Sequence, residues 1–175
     1  LTRHPYSTAR YRNVLETLIA KVPVNETLPK GQGWGIAVHR SFVSYVAVAT
    51  KVAVVNNHLT IKEIHCAIDC GLAINPDRVR SQMEGAMIFG MSIALMGKVD
   101  IKNGAIVQSN FHDYPITRIN QVPEIIVHLV NPKDHVPSGV GEPGVPPVAP
   151  SIANAVFAAT GQRYRELPLN QYLTV

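Results

Sequence analysis

The feature that most constrains this chain is a long run rich in valine. "FVSYVAVATKVAVV" is dense in β-branched residues and partly alternates. It breaks at "NNH", a turn, and resumes as "LTIKEIHCAI". The pattern predicts a long hairpin, Phe42 to Val55 against Leu59 to Ile68, with extended chain already from Trp34. Ser41 stands before the first strand, and Asp69-Cys70-Gly71 closes the second. A chain committed to such a ladder needs apolar elements to cover it.

Those elements are legible on both sides. Residues 7–21, "STARYRNVLETLIAK", read as a helix with Ser7 or Thr8 as cap. Its apolar stripe is Tyr11, Val14, Leu15, Leu18 and Ile19, and Pro23 stops it. "INPDRVRSQMEGAMIFGMSIALM" begins at an Asn-Pro turn and predicts a helix from about Arg78 to Leu95, capped by Asp77. After Met83 nearly every face is apolar, the mark of a buried helix. Gly85 and Gly90 each cost about 1 kcal/mol against alanine there, which a close neighbour, backbone or ligand, would explain. "GKVDIKNGAIVQ" is a hairpin turning at Asn103-Gly104, and "EIIVHLV" is a further strand. "PSIANAVFAATG" is a helix with Ile152, Val156 and Phe157 inward and Gly161 at its end, and "RYRELPLNQYLTV" is a tail. The expected fold class is α+β, antiparallel hairpins packed with helices.

Composition narrows the function. With 46% hydrophobic and 16% charged residues, the chain is a folded one, and part of its surface is expected to lie under another domain or subunit. Its net charge is +4 and its pI about 9.2, but the bases are scattered, the densest group being Arg3 to Arg12. With no recognition module and 6% aromatics, nucleic acid is excluded; a modest positive field suits a phosphate-bearing cofactor or an acidic partner. Cys66 and Cys70 form no C-x-x-C motif, so they are read as buried free thiols in a reducing compartment. Apolar "GAMIFGMSIALMG" is too short to span a membrane. No export leader is visible, and an opening on Leu1 is expected of a fragment or a trimmed product.

Chemistry concentrates in "SGVGEPGVPPVAP", Ser138 to Pro150, where one carboxylate, Glu142, stands among glycines and prolines. Such a backbone is rigid and non-repeating. By composition alone it is a surface connection with an exposed acid. The helix after it begins near Val148 to Ser151, and free amides there could hold an anion beside Glu142. "SQMEGA" sets Gln82 and Glu84 on opposite sides of a helix, and the Gln82 amide both donates and accepts, as a planar heterocycle requires. A cap with a surface pair is the plainer alternative. "GQGWG", Gly31 to Gly35, lacks dinucleotide spacing, and the seven histidines, His112 beside Asp113 among them, form no H-E-x-x-H and no ligand cluster.

The blocks "GQGWGIAVHRSFVSYVAVATKVAV", "IHCAIDCGLAINPDRVRSQMEGAMIFGMSIAL", "QSNFHDYPITR", "VPEIIVHLV" and "GVGEPGVPPVAPSIANAVFAATGQRYRELPL" carry a resemblance over almost the whole chain. It resembles the molybdenum-binding subunit of the xanthine dehydrogenase and aldehyde oxidase family, most of all the beta subunits of isoquinoline 1-oxidoreductase type. The resemblance implies a C-terminal molybdopterin-binding domain at residues 31–175, with 1–30 as a helix and linker ending a preceding segment. It implies a molybdenum–pterin cofactor, in the cytosine dinucleotide form, whose metal is held through the pterin dithiolene and by no protein ligand. Glu142 inherits the role of general base, enclosed beside the metal, in the oxidation of an aldehyde or aromatic N-heterocycle with water as oxygen source. Gln82, Met83, Glu84, Gly85 and Ala86 inherit pterin contacts, and Gly139, Val140 and Gly141 line the metal. Ala86 stands where the family often has a second glycine. The implied partners are the remainder of the molybdenum-binding subunit and a subunit carrying iron–sulfur clusters. The implied compartment is the cytoplasm, or the periplasm through a partner's export signal. The alternative is a non-catalytic assembly domain of a split or degenerate molybdoenzyme.

Overall fold

The valine-rich run becomes the centre of a four-stranded sheet. The computed structural model describes residues 6–130 and 135–175; Arg3 and His4 of the basic opening stretch lie outside the described residues. Strands β1 (Gln32–Ser41), β2 (Ser44–Val55) and β3 (His58–Asp69) form an antiparallel meander. Asn56 and Asn57, at φ 49° and 65°, make the expected second turn. The first turn corrects the sequence reading. Phe42 and Val43 are not strand but a two-residue left-handed turn, φ 50° and 67°. Pairing of Ser41 with Ser44 closes that hairpin against the β preference of both residues.

Helix α1 (Thr8–Ile19) precedes the sheet, capped as expected by the Ser7 hydroxyl, which accepts from the Arg10 amide. After β3 the chain crosses over through α2 (Pro76–Leu95), passes the hairpin β4 (Ile101–Lys102) and β5 (Ala105–Ile106), and returns as β6 (Glu124–Val130). The sheet order is β1-β2-β3-β6, and β6 lies parallel to β3. The fold is thus helices on a mostly antiparallel sheet, with one parallel pair that a helical crossover makes possible. α3 (Val148–Thr160) follows the acid-bearing loop and ends at Gly161, φ 74°.

Two details of α2 differ from expectation. Its cap is Asn75, whose side chain accepts from the Arg78 amide at 3.1 Å, and Pro76 occupies the first turn, where its missing N–H costs nothing. Asp77 lies inside that turn, paired with Arg80. Nor is α2 buried all round: Phe89 is 59% exposed, and Ile74 just ahead of it 74%.

Each face of the sheet has its own core. On one side Val46, Val48, Cys66 and Ile68 meet Met83, Met87 and Met91 of α2 and Ile152 and Val156 of α3. On the other, Val14 and Leu18 of α1 cover Trp34, Tyr45, Ala47, Ala49 and Ala67. β2 alternates between the two cores, so its middle is buried on both sides. The Arg10 guanidinium ties α1 to the end of β3 with paired contacts of 2.7 and 2.9 Å to Asp69. Gly33 and Gly35 let α3 lie directly on β1, since a Cβ at Gly35 would overlap the backbone of Ser151 and Ala155. Gly33 and Gly35 of "GQGWG" therefore serve helix-on-strand packing, whereas Gly31, at φ 84°, lies against the Val54 carbonyl of β2. No helix among the described residues is long and apolar enough to cross a membrane.

Candidate functional site

The acid-bearing loop is fixed to three places before it reaches Glu142. The Ser138 amide donates to the Cys70 carbonyl at 2.9 Å, at the end of β3. The Gly139 amide donates to the Phe42 carbonyl at 3.1 Å, in the left-handed turn. The Ser44 hydroxyl, fully buried, donates to the Gly139 carbonyl at 2.6 Å. A Cβ on Gly139 would stand 2.7 Å from that of Phe42, so only glycine passes there.

Beyond the acid the loop settles on α2. The Val145 amide donates to the Glu142 carbonyl at 3.0 Å, closing a tight turn. Gly144 sits on Ala86 and Met83: a Cβ there would lie 2.7 Å from the Ala86 methyl and 3.0 Å from the Met83 sulfur. Gly141 passes beside Gln82, with 3.9 Å between its Cβ position and Gln82 Nε2. The loop and the "QMEGA" turn are thus one surface.

Within it the predicted residues divide by role. Met83 and Ala86 are buried under the loop, which they support. The Ala86 methyl is used as packing against Gly144. Gln82, Gly85, Gly139, Gly141 and Glu142 are exposed, and Val140 is half-buried. Among the described residues, neither the Glu142 carboxylate nor the Gln82 amide has a hydrogen-bond partner. Nothing lies within 4 Å of a Cβ at Gly85, whereas Gly90 is explained by Val148, 2.5 Å from its Cβ position. Glu84 lies about 200° around the helix from Gln82, away from the loop. Among the described residues nothing encloses Glu142, which is exposed.

The helix N-terminus is a poorer anion site than its sequence suggests. The Val148 amide is taken by the Val145 carbonyl and that of Ser151 by the Pro147 carbonyl, while Pro150 has none. Three of the four first-turn positions therefore offer no free N–H. His112 and Asp113 form no reactive pair either; the Asp113 carboxylate accepts from the Ser109 and Asn110 amides, which hold it below the usual carboxylate range. Burial pushes the Cys66 thiol up to about 12 and raises that of Cys70, which disfavours the thiolate in both free cysteines. Among the described residues no three His, Cys, Asp or Glu side chains are grouped to hold a metal ion.

The sequence profile of the molybdopterin cofactor-binding domain matches residues 23–123. The chain belongs to that family. This molybdopterin-binding domain is homologous to molybdenum-binding subunits of the xanthine dehydrogenase and aldehyde oxidase type. It is 40% identical over 147 residues to the isoquinoline 1-oxidoreductase beta subunit of Brevundimonas diminuta, a match covering 81% of this chain and 19% of that protein. It is 32% identical over 167 residues to a membrane-bound aldehyde dehydrogenase (pyrroloquinoline-quinone) of Gluconacetobacter polyoxogenes, covering 91% of this chain and 22% of that protein. Among solved structures it resembles the aldehyde oxidoreductase of Desulfovibrio desulfuricans, with TM-score 0.62 and 28% identity over 74% of this chain and 15% of that one. The chain spans about a fifth of the length of these two curated relatives.

The exposed face fits a flat cofactor on this chain's side. Gly85 and Gly141 leave room where side chains would stand, and the Gln82 amide beside Gly141 has no partner among the described residues.

Proposed function

We propose that this domain is one wall of the active site of a molybdenum hydroxylase that oxidises an aldehyde or an aromatic N-heterocycle, with water as oxygen source. The observation that carries the reading is the Glu142 carboxylate, without a hydrogen-bond partner among the described residues, on a loop fixed at both ends and lying against the Gln82 turn.

In this reading Gln82 and Gly85 hold the edge of the pterin, while Gly139, Val140 and Gly141 line the space around the metal. Met83 and Ala86 act from beneath, as support, and Glu84 contributes no contact from its side of the helix. The bound molybdenum–pterin group, in its cytosine dinucleotide form, would supply the acceptor for the two electrons of the oxidation. Glu142 takes a proton from the attacking water at a carboxylate oxygen. A general base of this kind contributes about 100- to 10,000-fold to rate. Its place matters as much as its basicity, and a loop stiffened by prolines keeps it there. The rest of a longer subunit encloses the face, residues 1–30 end the segment that precedes this domain, and an iron–sulfur subunit removes the electrons.

Metal analysis of the assembled enzyme should find about one molybdenum per protomer, and Glu142→Gln should lose at least about 100-fold in kcat with the metal retained. Unchanged turnover in that variant would overturn the assignment of the base. An assembly that carries no molybdenum would favour an assembly role for the domain, and one that carries a quinone instead would favour the chemistry named for the Gluconacetobacter relative.

A further inference from the structure

The segment between Ser138 and Ser151 is held at both ends by one strand. On β2 the Ser44 and Thr50 hydroxyls are both fully buried on the side that faces α2 and α3. Ser44 Oγ lies 2.8 Å from Ser138 Oγ and donates to the Gly139 carbonyl at 2.6 Å. A hydroxyl has one hydrogen. Ser44 spends it on Gly139, so Ser138 is the donor between the two serines. Thr50 Oγ1 lies 2.8 Å from Ser151 Oγ, and Ser151 donates to the Val148 carbonyl at 2.8 Å, so Thr50 donates to Ser151. Both sets of hydrogens are therefore directed, and each fixes an orientation as well as a distance.

These hydroxyls stand in a layer otherwise made of Val46, Val48, Val52 and the aliphatic side chains of two helices. Valine at either position would suit that layer better, because a buried hydroxyl costs free energy unless its bonds are made. What both contacts share is the loop between their partners, and Glu142 is its only acid. The near contact is reinforced by the Phe42–Val43 turn, where two non-glycine residues accept left-handed backbone and Phe42 presents its carbonyl to the Gly139 amide. Backbone strain of this sort persists where the surroundings over-determine it.

We infer that Ser44 is a positioning residue for Glu142, holding the loop three residues ahead of the acid, and that Thr50 holds its far end. This rests on the reading of Glu142 as base. Ser44 touches no reacting atom in that reading and acts only through the loop.

The test uses the assembled enzyme and three readouts: kcat against KM, molybdenum content, and amide exchange over residues 138–145. Ser44→Ala should lower kcat about 10- to 100-fold with KM and metal content nearly unchanged, since a displacement near 1 Å is enough for such a loss. Exchange over the loop should quicken in the same variant. Ser44→Cys, of similar size and a weaker donor, should fall between, and Thr50→Val should cost less, because it bonds only at the α3 end. Should Ser44→Ala fail to fold, Ser44→Cys and Ser138→Ala supply the same readouts. Wild-type kcat and exchange in a folded Ser44 variant would overturn the inference, as would a kcat loss that merely tracks lost metal. If Glu142→Gln keeps its turnover, the reading of the base fails, and loop exchange still decides whether Ser44 holds the segment.

Discussion

The two faces of the sheet are packed in different ways. Beneath α1 the strands present small residues, Ala47, Ala49 and Ala67, beside the rings of Trp34 and Tyr45, and α1 adds directed contacts to its apolar packing: the Arg10–Asp69 pair and the Ser7 amide donating to the Tyr45 hydroxyl. Beneath α2 and α3 they present large aliphatic groups that fill space around three methionines, with buried hydroxyls only where the acid-bearing loop is tied down. One face secures a helix through apolar packing and a few polar bonds. The other builds a stiff floor by shape and uses polar bonds to place a loop on it.

The largest test of that contrast is Arg10→Ala. Asp69 is only 1% exposed, so removing its partner leaves a charge buried with less compensation. A loss of about 3–5 kcal/mol is expected in chemical denaturation. A loss under about 1 kcal/mol, the size of a surface pair, would show that α1 is held by apolar contact like the opposite face.

A smaller effect is expected on the outer side of α2. Gly85→Ala meets nothing within the chain, so it should raise stability by about 1 kcal/mol, the difference in helix propensity. The same methyl stands on the face assigned to the pterin, so retention of the cofactor should fall as stability rises. Equal gains in both would remove Gly85 from the site.

The smallest effect is a pH dependence on the α1 face. Burial first, then the neighbouring His65 and Lys21, hold the His128 imidazole below its ordinary value of 6.5. A lowered folded value means that the unfolded chain binds the proton more readily. Stability from this group is therefore full above 6.5 and declines as pH falls through and below it. The 3.1 Å contact between His65 Nδ1 and His128 Nε2 survives protonation of His128, whose Nε2 then donates to the neutral His65 Nδ1. His128→Phe should flatten Tm against pH in that range; an unchanged slope would place the acid sensitivity elsewhere.

Much of this was legible in the chain because it is governed by local rules. The turns at Asn56-Asn57 and Asn103-Gly104, the Ser7 cap and the Gly161 stop each depend on a few adjacent residues. Glu142 stood out as one acid in a stiffened run, while a site shared with Gln82 was implied only by the family resemblance. What escaped was non-local. Phe42 and Val43 read as strand because their side chains prefer it, and the bonds to Gly139 that accompany their turn come from far along the chain. The parallel placement of β6 depends on a helix crossing over, which strand pattern alone does not report. Gly33 and Gly35 lacked the spacing of a dinucleotide loop, and their use in admitting α3 onto β1 depends on a helix more than 100 residues away. Ser44 and Thr50 looked like ordinary polar residues in an alternating strand; only their partners reveal their purpose.

The contact between Ser44 and Ser138 spans 94 residues of sequence, and that between Thr50 and Ser151 spans 101. A ribosome therefore completes the meander of β1, β2 and β3 long before it reaches Ser138, and both anchor points already exist when the acid emerges. The strand that holds the loop is thus written into the chain well ahead of the acid, while the helix that carries Ser151 follows it.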